Sequence, residues 1–258
     1  MHKTIIVTLF LLTLFVLNNC ENSTNSDNNS AKLAVYLTDA AAQYDSVIIV
    51  FSEISAHIDS QWVHVTQEPM RVNLLNWSNG ETLLLGSADV PAGKYTQIRI
   101  KIDSAFVGID GLVHEMKVPG GSQTGLKLGP AFNINEGSTY ELVLDFDACR
   151  SVVRKGPRHN PNSYSLKPRI RMIAHAVSGS IIGTVSNPEN VPLAHAIIGA
   201  DTVTTAIVDT TTGFFRLAFL PDSTYSVAIK DTLNQSFSAN SVKVEAGKAS
   251  DLGDIILQ

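Results

Sequence analysis

The feature that most constrains this chain is an apolar alternation with a period of two, running from Lys32 almost to the carboxyl terminus. Successive side chains of a strand point to opposite faces, so this pattern buries one face and leaves the other to solvent. Leu33, Val35 and Leu37 recur at every second position, and Ser46 to Ile54 is a more continuous apolar run, as a central strand requires. Between Tyr95 and Ile102, Thr96, Ile98, Ile100 and Ile102 take one face and Gln97, Arg99 and Lys101 the other. Leu142, Leu144 and Phe146 stand opposite Val143, Asp145 and Asp147. Leu166, Pro168, Ile170 and Met172 alternate with Lys167, Arg169 and Arg171, and the proline predicts an edge or terminal strand there. Pro91-Ala92-Gly93-Lys94 and Asp110-Gly111 are turn signals. Beyond a turn near Ala40 to Tyr44, no segment carries a helical stripe. The fold class is all-β.

Around Val177 to Gly179 the pattern starts again. Short strands are predicted at Ile181–Val185, Ala194–Ala200, Thr205–Asp209, Phe214–Leu220, Tyr225–Ile229, Gln235–Val244 and Asp251–Leu257. Seven strands at this spacing describe a small β-sandwich. Its predicted core is Ile197, Phe215, Leu217, Leu220, Tyr225, Val227 and Ile229. The expected architecture is two β-sandwich-like domains in tandem, over residues 32–176 and 177–258.

The amino-terminal end has a different character. Lys3 precedes an apolar run from Ile5 to Leu17, which ends at Leu17-Asn18-Asn19-Cys20. The run falls short of the roughly 20 residues of a membrane span and reads as a secretory signal. A cysteine closing such a segment, with Leu17 three positions before it, resembles the lipobox of bacterial lipoproteins, although Asn18 and Asn19 depart from its usual residues. That resemblance implies a signal peptide over residues 1–19 and lipid attachment at Cys20. Residues 20–31, mostly Asn, Ser, Thr and Asp, have little to bury and read as a flexible tether. Acyl chains, at about 0.8 kcal/mol per buried methylene, would then anchor the chain to a membrane on its non-cytoplasmic side. A lipidated Cys20 leaves Cys149 unpaired, and a lone cysteine is expected to pack as a small buried hydrophobe. The net charge of −5 argues against a nucleic-acid partner.

Several phrases occur in order along the first domain. They are Tyr36-Leu37-Thr38-Asp39-Ala40, Tyr44-Asp45-Ser46-Val47, Pro91 to Arg99, Gly125-Leu126-Lys127-Leu128, Asp145-Phe146-Asp147-Ala148 and Tyr164 to Pro168. Together they resemble the domain-of-unknown-function family DUF4382 of secreted and lipid-anchored bacterial proteins, over about Lys32 to Ala174. The resemblance implies an envelope protein and brings no activity. The second domain resembles the carboxypeptidase regulatory-like, transthyretin-type sandwich, through Gly183-Thr184-Val185, Pro192-Leu193, Thr210 to Gly213, Leu220-Pro221 and Tyr225-Ser226-Val227. Its fold group includes carbohydrate-binding relatives, an analogy at the level of fold alone.

Among groups able to do chemistry, Asp145 and Asp147 share one face of a strand, and with Asp39 they are the candidate ligands for Ca²⁺. The competing reading pairs them with Arg99, Lys101, Arg169 or Arg171 across neighbouring strands. Two carboxylates on one face of one strand do not flank a sugar from opposite sides, so glycoside hydrolysis does not fit. The histidines are scattered without zinc-site spacing, and no nucleophile elbow or phosphate loop occurs. No catalytic residue and no cofactor are expected. Trp62 and Trp77, with Tyr36, Tyr44 and Tyr95, are the aromatic residues able to stack on a sugar or seat a partner, or else to pack in the core. The expected function is a non-catalytic envelope lipoprotein with a structural, adhesive or binding role, its partners being the membrane and a polysaccharide or envelope protein. The alternative is a carbohydrate-binding envelope protein.

Overall fold

The computed structural model describes residues 30–40, 42–120, 124–155 and 163–258. The signal segment, Cys20, the tether up to residue 29 and the polar loop Pro157 to Asn162 lie outside the described residues. The first part of the chain contains β1 (Ser30–Ala40), β2 (Ser46–Ile58), β3 (Gln61–Thr66), β4 (Met70–Asn73), β5 (Leu83–Pro91), β6 (Gly93–Ile109) and β7 (Leu112–Lys117). It continues with β8 (Leu126–Leu128), β9 (Phe132–Ile134), β10 (Thr139–Asp147), the short helix α1 (Ala148–Ser151), β11 (Val152–Lys155), β12 (Ser163–Leu166) and β13 (Ile170–Ala174). The second part contains β14 (Ser178–Val185), β15 (Leu193–Ile198), β16 (Asp201–Ile207), β17 (Phe214–Pro221), β18 (Ser223–Lys230), β19 (Ser236–Val244) and β20 (Ala249–Ile255). The structure is all-β and sandwich-like, as the alternation predicts.

The first part folds as a four-stranded sheet, ordered β13-β10-β1-β5, against a nine-stranded sheet with β11-β12-β7-β6-β2-β3 as its path. β1 and β10 run parallel in the centre of the smaller sheet. Their inward faces, Leu33, Val35 and Leu37 beside Leu142, Leu144 and Phe146, are almost wholly buried against Ile49, Phe51, Ile98 and Ile100 of the larger sheet. Each such side chain contributes about 1.5–3 kcal/mol by leaving water. β2 runs on to Ile58 and pairs with β3, β4 and β6, which accounts for its continuous apolar run. Asp110 and Gly111, both at positive φ, make the predicted hairpin turn.

Three expectations change. Tyr95 rather than Thr96 points inward, because the β2–β6 register shifts between His57 and Ile58. The predicted strand through Leu166 and Met172 is two strands, β12 in the larger sheet and β13 at the edge of the smaller one. Pro168, with no amide hydrogen to give a ladder, lies in the crossing between them. The tether's last residues, Ser30 and Ala31, already belong to β1, and Ala31 is buried.

β14 to β20 form a three-stranded sheet, β17-β14-β20, and a four-stranded sheet, β16-β15-β18-β19, matching the seven predicted strands. Phe215, Leu217, Leu220, Tyr225, Val227 and Ile229 all enter this core. Ile197 does not: Ala194 and Ala196 are the inward residues of β15, and unbroken alternation puts Ile197 on the opposite face.

One device recurs in both halves. β5 ends at Pro91 and β17 at Pro221, and four residues later a buried tyrosine returns its hydroxyl to that proline's carbonyl. Tyr95 Oη donates to Pro91 O at 2.7 Å and Tyr225 Oη to Pro221 O at 2.9 Å. Both rings are essentially inaccessible, so each hydroxyl finds its partner inside the turn. Tyr95→Phe and Tyr225→Phe each remove one such bond while keeping the ring, and each is expected to cost about 1 kcal/mol in denaturant unfolding.

Candidate functional site

The predicted carboxylates meet at the carboxyl ends of β1 and β10, where the first sandwich faces the second. Register sets Thr38 beside Asp145 and Ala40 beside Asp147, and Asp145 opposite Arg171 of β13. The outward faces of these strands are apolar further back: Tyr36, Val143 and Ile173 pack against Ala218 and Phe219 of β17. Phe219 holds φ at +52°, uncommon for a large residue, and this lets its ring leave the second core while Leu220 returns to it.

Asp145 is buried and bound by Arg171, whose Nε donates to Asp145 Oδ2 at 2.8 Å while Nη2 contacts the same oxygen. Burial pushes the Asp145 carboxyl up and the Arg171 guanidinium works against it. Arg171 Nη1 also donates to Phe219 O at 3.5 Å, so one guanidinium joins both sandwiches. Of the predicted basic partners, Arg171 is therefore the one that Asp145 uses. Asp147 instead caps α1, accepting from the Arg150 amide at 2.8 Å and contacting Arg150 Nε. Both Arg150 and α1 escaped the sequence reading, since an aspartate alone is a weak capping signal and no Glu or Gln follows three residues later.

Asp39 sits at the end of β1 and accepts from the Ala148 amide at 3.0 Å, while its Oδ2 is buried without a partner. Burial drives its carboxyl well above the ordinary range; the Ala148 amide opposes this, and Asp145 and Asp147 add to it. The three aspartates are thus close, yet no group of three or more His, Cys, Asp or Glu side chains among the described residues has the geometry to hold a metal ion. For Asp145 and Asp147 the geometry favours ion pairing and capping over Ca²⁺ binding, while Asp39 accepts one amide and keeps Oδ2 without a partner.

Clefts of about 210 Å³ and about 230 Å³ lie along this junction. Arg150, Arg169 and Val203 line the first, and Cys149, Leu193 and His195 the second. Cys149 is exposed rather than buried, since α1 turns it outward. Desolvation by the surrounding walls, and then the Asp147 carboxylate, hold its thiol above the ordinary value, the reverse of what a nucleophile needs. His195 Nδ1 lies 3.0 Å from Thr205 Oγ1, and burial lowers its pKa.

The aromatic candidates divide. Trp77 packs against the first core, and its turn is clipped down by Thr38, whose Oγ1 lies 2.9 Å from both Trp77 O and Glu81 O. That turn sends Asn79 across the junction, where its Nδ2 donates to Ile207 O at 3.1 Å. At the neighbouring Gly80, with φ at +88°, a Cβ would come within 2.7 Å of Arg216 Cδ. Tyr36 and Tyr95 are consumed by the junction and by the proline turn. Trp62 alone keeps an outward setting, on the far face of the larger sheet beside Arg99 and His57.

The family described as "Domain of unknown function (DUF4382)" matches residues 30–168, more than half of the chain. No curated protein matches it. Solved structures similar to it include the Bacillus anthracis TIE protein, at 12% identity and a TM-score of 0.25, covering 89% of this chain and 34% of that one. GBS52, the minor pilin of Streptococcus agalactiae, aligns at 10% identity and a TM-score of 0.21 over 87% of this chain and 94% of its own. A fimbrial protein from Bacteroides ovatus aligns at 11% identity and a TM-score of 0.25 over 88% of this chain and 50% of its own. This chain therefore spans about a third of the first protein and half of the last. Likeness at these TM-scores carries no argument about function.

Folding binds a proton at Asp39, because its folded pKa lies above its unfolded one. Stability from this group is therefore present below the ordinary carboxylate pKa and is lost as pH rises through the raised value. Asp39→Asn is expected to abolish that decline and to gain on the parent chain as pH rises, in denaturant melts taken between pH 4 and 8.

Proposed function

This chain belongs to the DUF4382 family, and on that premise we propose that it is a non-catalytic protein of the bacterial cell envelope with a structural or adhesive role. The observation that carries the reading is the use made of its buried charges. Asp145, Asp147 and Arg171, the residues best placed for chemistry, are spent on joining two sandwiches and capping a turn. A stiff junction suits a protein that presents surfaces at a distance from a membrane, and a catalyst built on these groups would need at least one of them free. We read residues 177–258 as a carboxypeptidase regulatory-like module, supported by its seven strands in two sheets and its Pro221–Tyr225 turn. Residues 30–176 form the family's domain in this reading, and residues 1–29 supply the signal, the lipidated Cys20 and the tether. No helix among the described residues is long and apolar enough to cross a membrane. The sequence around Cys20 is the support for a lipid anchor.

Arg171→Met leaves Asp145 buried without its partner and is expected to cost about 3 kcal/mol. In calorimetry the parent chain should unfold in one transition and the variant in two. Two separate transitions in the parent chain would contradict the stiff tandem. Growth with a fatty-acid analogue should label the chain and place it in the membrane fraction, and Cys20→Ala should abolish both. Label persisting in that variant would refute the anchor.

A further inference from the structure

On the outer face of the nine-stranded sheet, strand register assembles a row of cationic, aromatic and polar side chains whose one carboxylate, Glu53, is paired with His64. Arg99 of β6 stands opposite Ser55 of β2 on one side and Lys127 of β8 on the other, and Ser55 stands opposite His64 of β3. His57 and Trp62 face each other two positions along. The alternate residues Ile54, Ala56, Ile98 and Ile100 are in the core, so the row looks outward.

Arg99 reaches across β2 and lays its guanidinium 3.7 Å from the centre of the Trp62 ring. The His57 ring meets the same indole at 4.9 Å and is fixed through Nδ1, 2.8 Å from Thr96 Oγ1. Gly125, at φ +70°, closes over the arginine stem: a Cβ there would come within 2.7 Å of Arg99 Cγ. The guanidinium so positioned has no ion-pair partner among the described residues. Its Nε and the Oγ of the fully buried Ser55 beside it are both buried without hydrogen-bond partners, so the donors it offers a ligand are its two terminal nitrogens. Glu53, opposite Lys101, is engaged by His64 at 3.3 Å.

A stacked arginine has already given up much of its rotamer freedom, and its planar fork matches a carboxylate with two parallel hydrogen bonds. Lys127 and Lys101 add positive charge on either side. We infer that this face binds a polysaccharide bearing carboxylates, with Arg99 as the principal anchor, Lys127 as a second cation and the exposed part of the Trp62 indole against a sugar ring. An acidic peptide held by the cations alone would leave the Trp62 indole unused, and one taken up by strand addition would need a free edge. Arg99 instead projects from a strand hydrogen-bonded on both sides. The inference deepens the adhesive role proposed above and rests on it, but it does not require the lipid anchor.

The full chain is titrated with polygalacturonate, with the same polymer methyl-esterified, and with polyglutamate, by calorimetry and indole fluorescence. Polygalacturonate should bind, and weaken as salt rises. Esterification or Arg99→Gln should weaken binding about tenfold or more, and Arg99→Lys nearly as much through loss of the fork. Lys127→Gln, at an exposed position where the fold is not at risk, should weaken it about threefold. Equal binding of the esterified polymer, parental affinity in both Arg99 and Lys127 variants, or no binding of polygalacturonate would each overturn the inference. So would polyglutamate bound as tightly, which would make the occupant an acidic protein. Loss of fatty-acid label with binding intact would refute the anchor alone.

Discussion

Burial of β1 and β10 on both faces is the constraint from which the rest of this structure follows. Their inward residues make the first core, and their outward residues meet the second sandwich through Tyr36 and Val143. A parallel pair is usually covered on both sides because its connections run over the sheet. Here one cover is the larger sheet and the other is the second sandwich. Any charge at the ends of these strands is consequently drawn out of water, and Asp39, Asp145 and Asp147 are the result.

Much of the fold was legible because it is written in period two. The seven strands of the second sandwich and the inward faces of β1, β6 and β10 follow directly from alternation. What alternation cannot register is a slip of one residue. The register shift near His57 reversed Thr96, Ile197 falls on the face opposite the smaller Ala194 and Ala196, and Pro168 sent one apparent strand into two sheets. The candidate site was half legible. Strand spacing put Arg171 among four candidate partners for the aspartates, whereas Arg150 and the outward turn of Cys149 depended on four helical residues too short to leave a pattern. The contact of Phe219 with the first sandwich, between residues distant in sequence, had no local signal.

The two arginines that matter most illustrate how setting decides what a side chain does. Arg171 lies beside a buried carboxylate, and its donors are spent on Asp145 and the Phe219 carbonyl. Arg99 lies over an indole, which holds its position through the ring quadrupole and leaves its hydrogen-bonding edge unspent. The first closes the structure on itself and the second leaves it open to something else.

The placement of β1 also has a mechanical meaning. Its first residue is where any membrane-proximal segment joins the folded body, and from there it runs through the middle of its sheet, paired to β5 on one side and β10 on the other. Tension applied at Ser30 runs along the strand axis, so both ladders must slip together instead of parting one rung at a time. A chain hung from this point would resist traction far better than one hung from an edge strand such as β13, where the rungs peel off in turn.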